Sequence, residues 1–156
     1  MEGKTLLNHL KSTPTLEKCD IQLFANDDVW CLPKSLPALT IINTAFSTSP
    51  EGEHYIGFYC HENKSVDYFD SYGLEPYHCL KSYWTKHGFN PVRYSDKCVQ
   101  SPFSSTCALY QIAFAFFMSC DIELKVFLDS FTDDLYINDQ LVRNMVSSIL
   151  ESSVSK

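Results

Sequence analysis

The sequence predicts an α+β domain, a small sheet with helices against it and one wholly buried helix. Three observations carry this. Two strand-like runs, His54 to Cys60 and Val66 to Asp70, flank the turn residues Glu62-Asn63-Lys64-Ser65, which is the pattern of a hairpin. Cys107 to Cys120 is almost wholly apolar, with Ala108, Ala113 and Ala115 among its residues. Only a central helix is apolar on nearly every face. The last segment, about Ile137 to Leu150, is amphipathic, with Leu141, Val142, Met145 and Ile149 on its apolar side.

Taken in order, Thr5 to Lys11 predicts a short helix with Leu6, Leu7 and Leu10 on one side, broken by Ser12-Thr13-Pro14. Residues 15–37 read as irregular, punctuated by Pro33 and Pro37. Leu36 to Phe46 mixes β-branched and apolar residues, and its periodicity fits a strand or a buried helix equally well. After the hairpin, Ser71-Tyr72-Gly73 forms a turn. Pro76 to His87 then puts Tyr77, Leu80, Tyr83 and Trp84 on one helical face. Pro91 to Tyr94 suggests a short strand and Ser101 to Thr106 a loop. Ser105 or Thr106 serves as N-cap of the buried helix.

The chain has 156 residues, 45% apolar and 14% aromatic, enough for one core. It reads as one domain over residues 1–151, with a frayed tail over 152–156. The net charge of −7 gives no global field to draw nucleic acid or an anionic membrane, so no strong nucleic-acid binding is expected. The polar start carries no secretory signal pattern, and the longest apolar run, Ile112 to Met118, is too short to cross a bilayer. Seven cysteines cannot all pair within the chain. Many thiols without a signal point to a reducing, intracellular setting, where a thiol is a core residue, a ligand or a nucleophile.

Cys107 is the candidate nucleophile. It stands where a Ser/Thr-rich loop meets a buried helix, and the positive end of a helix stabilises a thiolate. The bland alternative makes it the first buried residue of a core helix. A nucleophilic Cys needs a base, and His54 opens a strand at the sheet's rim. His61 reads instead as an exposed turn residue, and His9, His78 and His87 as solvated. Asp70 closes the partner strand. In an antiparallel pair the start of one strand lies beside the end of the next, so His54 and Asp70 are expected to be neighbours. A carboxylate there fixes the imidazole tautomer and stabilises its cation. Gln100, seven residues before Cys107, is the candidate oxyanion donor beside the Cys107 backbone N–H. Each residue alone is weak evidence, but His54, Asp70, Gln100 and Cys107 together supply every role of a thiol protease.

Those residues sit in stretches that resemble the adenovirus endopeptidase (adenain) family, including the proteases of Maverick/Polinton elements. The stretches are Ile41-Ile42-Asn43-Thr44-Ala45, Gly52 to Phe58, Tyr68 to Gly73, and Val99 to Tyr110. The order His, acid, Gln, Cys and the spacing from Gln to Cys agree with the family over roughly residues 36–118. The resemblance implies His54 as general base, Asp70 as its partner, Gln100 as oxyanion donor and Cys107 as nucleophile. It implies the papain-like fold shared with SUMO-specific proteases, with the buried helix starting at the nucleophile. The implied activity is limited proteolysis of viral or mobile-element precursor proteins, after small residues such as Gly, during virion maturation. The implied setting is the host cytoplasm or nucleus, or the virion itself. The sequence departs from the family at Ala108, where Gly is usual, at Asp70, where adenain often has Glu, and at Tyr55, where Trp is common. It also lacks adenain's long C-terminal region, which leaves open whether a peptide or DNA activates it. No residue is expected to bind a cofactor or metal, and the enzyme is expected to be a monomer acting on capsid or other precursor proteins.

Three other readings compete. One is an isopeptidase acting on a ubiquitin-like modifier. Another is a catalytically dead interaction domain. The third is a zinc module built from Cys60-His61 and His78-Cys79, whose adjacent ligands fit poorly with the wider spacing zinc knuckles use. Cys60 and Cys79 are better read as core or sheet residues.

Overall fold

The structure is a computed structural model, and it describes residues 1–45 and 54–155. Phe46, the Glu51-Gly52-Glu53 run before His54, and Lys156 lie outside the described residues. The helices are α1 (Gly3–Ser12), α2 (His78–Lys86), α3 (Cys107–Ser119), α4 (Leu124–Asp129) and α5 (Leu135–Val154). The strands are β1 (Asp20–Ala25), β2 (Ala38–Asn43), β3 (Tyr55–Cys60), β4 (Val66–Phe69) and β5 (Val92–Arg93). The five strands lie in chain order in one mixed sheet. β1 runs parallel to β2, β2 to β4 are antiparallel, and β5 is parallel to β4.

Both faces of the sheet are covered. Leu39, Ile41, Tyr55, Tyr59 and Phe69 pack into the core formed with α1, α3, α4 and α5. The residues between them, Ala38, Ile42, Ile56, Phe58 and Tyr68, pack against Leu80 and Trp84 of α2. This period of two, buried on both sides, is why β2 and β3 read as continuous apolar runs. In α3, Ala113, Phe114 and Ala115 have no exposed surface. Phe114 stacks on Phe69 at 5.3 Å, and truncating such a Phe to Ala costs about 3–5 kcal/mol. That anchorage fixes the helix, and with it the position of its first residue, Cys107.

Three elements differ from the sequence expectations. Asp20–Ala25 is a strand within a segment that reads as irregular. It pairs with β2 along its whole length, so its conformation comes from tertiary pairing rather than its own polar-diluted sequence. The six-residue α4 is too short for periodicity to reveal, and forms because Leu124, Phe127 and Leu128 reach the core. α5 runs to Val154, so residues 152–154 are helical rather than frayed. Leu36 to Phe46, ambiguous by pattern, contains strand β2.

Candidate active site

The β3–β4 ladder runs from Cys60↔Val66 to Gly57↔Phe69 and stops there. His54 and Asp70 lie just beyond it, at the hairpin's open end. Nε2 of His54 meets Oδ1 of Asp70 at 2.8 Å, as the antiparallel pairing requires. The His54 carbonyl accepts from the Thr44 N–H at 2.8 Å, which holds this strand end against the residue after β2. Asp70 is held by its own turn: the Tyr72 N–H donates to Oδ1 at 2.8 Å, and the Gly73 N–H to the Asp70 carbonyl at 2.9 Å. Gly73 has φ +73°, and a Cβ there would lie 2.5 Å from the Asp96 carbonyl oxygen, so only glycine closes this turn without strain. The ring of Tyr72 stacks on His54, with centroids 4.5 Å apart and planes 25° from parallel.

Cys107 is the first residue of α3, after Thr106 at the N-cap. Its thiol interacts electrostatically with the His54 ring and with backbone groups of Tyr55 and Ala108. Asp70 occupies Nε2 of His54, while Nδ1 is buried and makes no hydrogen bond among the described residues. Burial disfavours the imidazolium, but Asp70 and Cys107 outweigh it and push His54 up to about 9. Burial likewise opposes the thiolate of Cys107. The His54 ring, the backbone of Tyr55, the imidazolium charge and the backbone of Ala108 outweigh that and hold the thiol below its ordinary range. The two shifts favour a thiolate–imidazolium pair. Burial without such a partner pushes Cys19 and Cys60 up to about 12.

Gln100 has no exposed surface and lies in the loop before α3. Its Oε1 accepts from Ser71 Oγ at 2.5 Å, which fixes the amide's orientation. Its Nε2 donates to the Ser104 carbonyl at 3.1 Å and lies 3.5 Å from the Tyr72 hydroxyl. One of its two N–H groups thus has only long partners.

The loop is tied from α5. The Asp139 carboxylate accepts from Thr106 Oγ1 at 3.1 Å, Tyr110 Oη at 3.0 Å and the Ser101 N–H at 3.4 Å. Thr106 is at the N-cap, but its hydroxyl serves this tie rather than the helix end. Ser71, Tyr72, Asp139 and Gln111 are residues of this region that the sequence pattern does not single out. Asp139 and Gln111 do leave a signal. Asp139 falls on the buried side of α5 three residues before Val142, and Gln111 interrupts the apolar run of α3.

Of the other candidates, His61 and Cys79 are placed differently from what their sequence pattern suggests, whereas Cys60 is the buried strand residue expected. His61 is not a free turn residue but half-buried, 2.6 Å from Asp67. Cys60 is buried, whereas Cys79 is exposed on α2. Among the described residues no group of three or more His, Cys, Asp or Glu is placed to hold a metal ion. No helix among them is long and apolar enough to cross a membrane. No family model and no curated protein matches the chain.

Proposed function

We propose that this chain is a cysteine endopeptidase of the adenain type, with the papain-like fold of that family, and that it cleaves precursor proteins after small residues such as Gly. The observation that carries the reading is Cys107 at the head of a buried helix, with its thiol interacting with the His54 ring and Asp70 bonded to Nε2 of that ring. The Cys107 thiolate attacks the scissile carbonyl carbon and the carbonyl π electrons move onto oxygen. The Cys107 N–H and the under-used N–H of Gln100 receive that oxyanion. Protonated His54 gives its proton to the leaving amine, and then draws a proton from the water that hydrolyses the acyl-enzyme. Asp70 keeps the ring oriented and its cation stable throughout.

The test is incubation of the protein with the structural precursors encoded beside it, and sequencing of the new N-termini. Cuts after small residues are expected, and none with Cys107→Ala. A parallel arm presents a ubiquitin-like protein fused through Gly-Gly. Cleavage of that fusion alone, with intact precursors, would replace the endopeptidase reading with the isopeptidase one.

A further inference from the structure

Gln111 is a fully buried amide in the otherwise apolar first two turns of α3, one helical turn after Cys107. Its Nε2 donates to the Tyr55 carbonyl at 3.1 Å and to the Phe69 carbonyl at 3.3 Å. These residues directly adjoin His54 and Asp70. They sit where the hairpin comes apart, because the β3–β4 ladder ends at Gly57↔Phe69 and no strand pairing joins the described residues of the two segments beyond it. The amide Oε1 has no hydrogen-bond partner among the described residues and lies against Gly57, where a Cβ would collide with it. Gly57 in mid-strand and Gln111 in mid-helix are thus one fitted contact: the missing side chain admits the amide.

We propose that Gln111 is a positioning residue, which sets the distance between the helix carrying Cys107 and the two strand ends carrying His54 and Asp70. The proposal rests on the reading of Cys107 and His54 as the reactive pair. A core helix gains nothing from a buried amide with an unpaired oxygen, since an apolar side chain of the same shape avoids that desolvation cost. What the amide adds is direction. Its two donors aim at two carbonyls on different strands and hold both strand ends in one register against α3. Without it the helix can slide or tilt over the hairpin, and the Cys107–His54 contact loosens with that movement.

The variants are Gln111→Met, close in shape but unable to donate, and Gly57→Ala, which keeps Gln111 but drives its amide out of place. Two readouts are taken on folded protein: the pH midpoint of iodoacetamide labelling at Cys107, mapped by peptide analysis, and kcat and KM per titratable thiol. In both variants the midpoint should rise toward the free-thiol value of about 8.5. The kcat should fall about ten- to a hundredfold with KM changed less than about threefold, the mark of misplaced reacting groups. Gln111→Glu should be as harmful, because an ionised carboxylate is repelled by both carbonyls and the neutral acid has one O–H to donate where the amide has two N–H groups. A merely structural amide would lower the melting temperature of Gln111→Met but leave midpoint and kcat per thiol as in the parent, and that result overturns the proposal. If Cys107 in the parent already labels like a free thiol, the reactive-pair reading fails and this inference falls with it. If the parent midpoint is depressed but no precursor is cut, the endopeptidase reading alone fails, and the labelling shift in the variants still decides the role of Gln111.

Discussion

The hairpin carries a His–Asp pair at each end, and each end has a cysteine in its neighbourhood. At the open end His54 meets Asp70 at 2.8 Å; at the turn end His61 meets Asp67 at 2.6 Å. The turn end opens on a cleft of about 1120 Å3, which Cys19 also lines. Yet the two ends are chemically opposite. The Asp67 carboxylate is claimed by the Arg93 guanidinium at 2.7 and 3.0 Å, and so serves as an anchor between β4 and β5. Among the described residues Asp70 has no cationic partner but His54, so its charge acts on the imidazole. Cys19 is pushed up to about 12 by burial with no imidazole to oppose it, while Cys107 is held down by His54. A His, an Asp and a Cys in one region are therefore not enough to favour a thiolate–imidazolium pair. The carboxylate must be undivided, and the thiol must face the ring.

Removing each imidazole in turn puts this contrast at greatest risk. His54→Ala should lower precursor cleavage at least about ten-thousandfold, because neither the thiolate nor the leaving-group proton is then supplied. His61→Ala should leave turnover within about twofold. Single-turnover cleavage assays on folded protein measure both. Comparable losses from the two variants would show that the turn end takes part in the reaction.

A smaller effect is expected at Gln100. If its amide receives the oxyanion, Gln100→Ala should cost about a hundred- to a thousandfold in kcat with little change in KM. Ser71→Ala removes the 2.5 Å bond that orients the amide and should give a fraction of that loss. Steady-state kinetics on a peptide spanning a mapped cut separates the two. Normal kcat in Gln100→Ala would leave the Cys107 N–H as the sole donor.

Much of this site is legible in the sequence, for identifiable reasons. Strand periodicity and a four-residue turn are enough to place His54 beside Asp70, because antiparallel geometry leaves little choice. The apolar run after Cys107 locates the helix start for the same kind of reason. What is not legible depends on packing between distant segments. Tyr72 stacks on His54 only because the Asp70 turn folds back, and nothing local in Asp-Ser-Tyr-Gly announces it. Asp139 reaches the loop before Cys107 from a helix more than thirty residues away. β1 exists through its pairing with β2. His61 reads as a solvated turn residue because the local pattern offers it no buried partner. Asp67 becomes one only because both sheet faces are covered.

The smallest expected effect tests the turn end, in stability rather than turnover. Burial favours the neutral form of Asp67, but the hydrogen bonds and charges of His61 and Arg93 outweigh it and hold the carboxyl below its ordinary 3.8. A carboxyl whose folded value lies below its unfolded one contributes stability above the unfolded value, and loses it as pH falls through the folded value. Arg93→Ala removes the guanidinium but leaves the carboxylate buried, with only His61 against it. Unfolding free energy at pH 7 should then fall by about 1–3 kcal/mol, toward the low end because Arg93 is half exposed and water partly replaces it. The acid-side loss should also begin at higher pH, since the folded value rises toward 3.8 once the cation is gone. Urea melts at pH 7 and at a series of lower pH values measure both effects. Cleavage per folded molecule should stay within about twofold, because among the described residues Arg93 bonds to Asp67 and Ser65, away from the open end. A tenfold loss of turnover with folding intact would mean that β4 transmits its anchorage from Asp67 to Asp70, and the two ends of the hairpin would then be one functional unit.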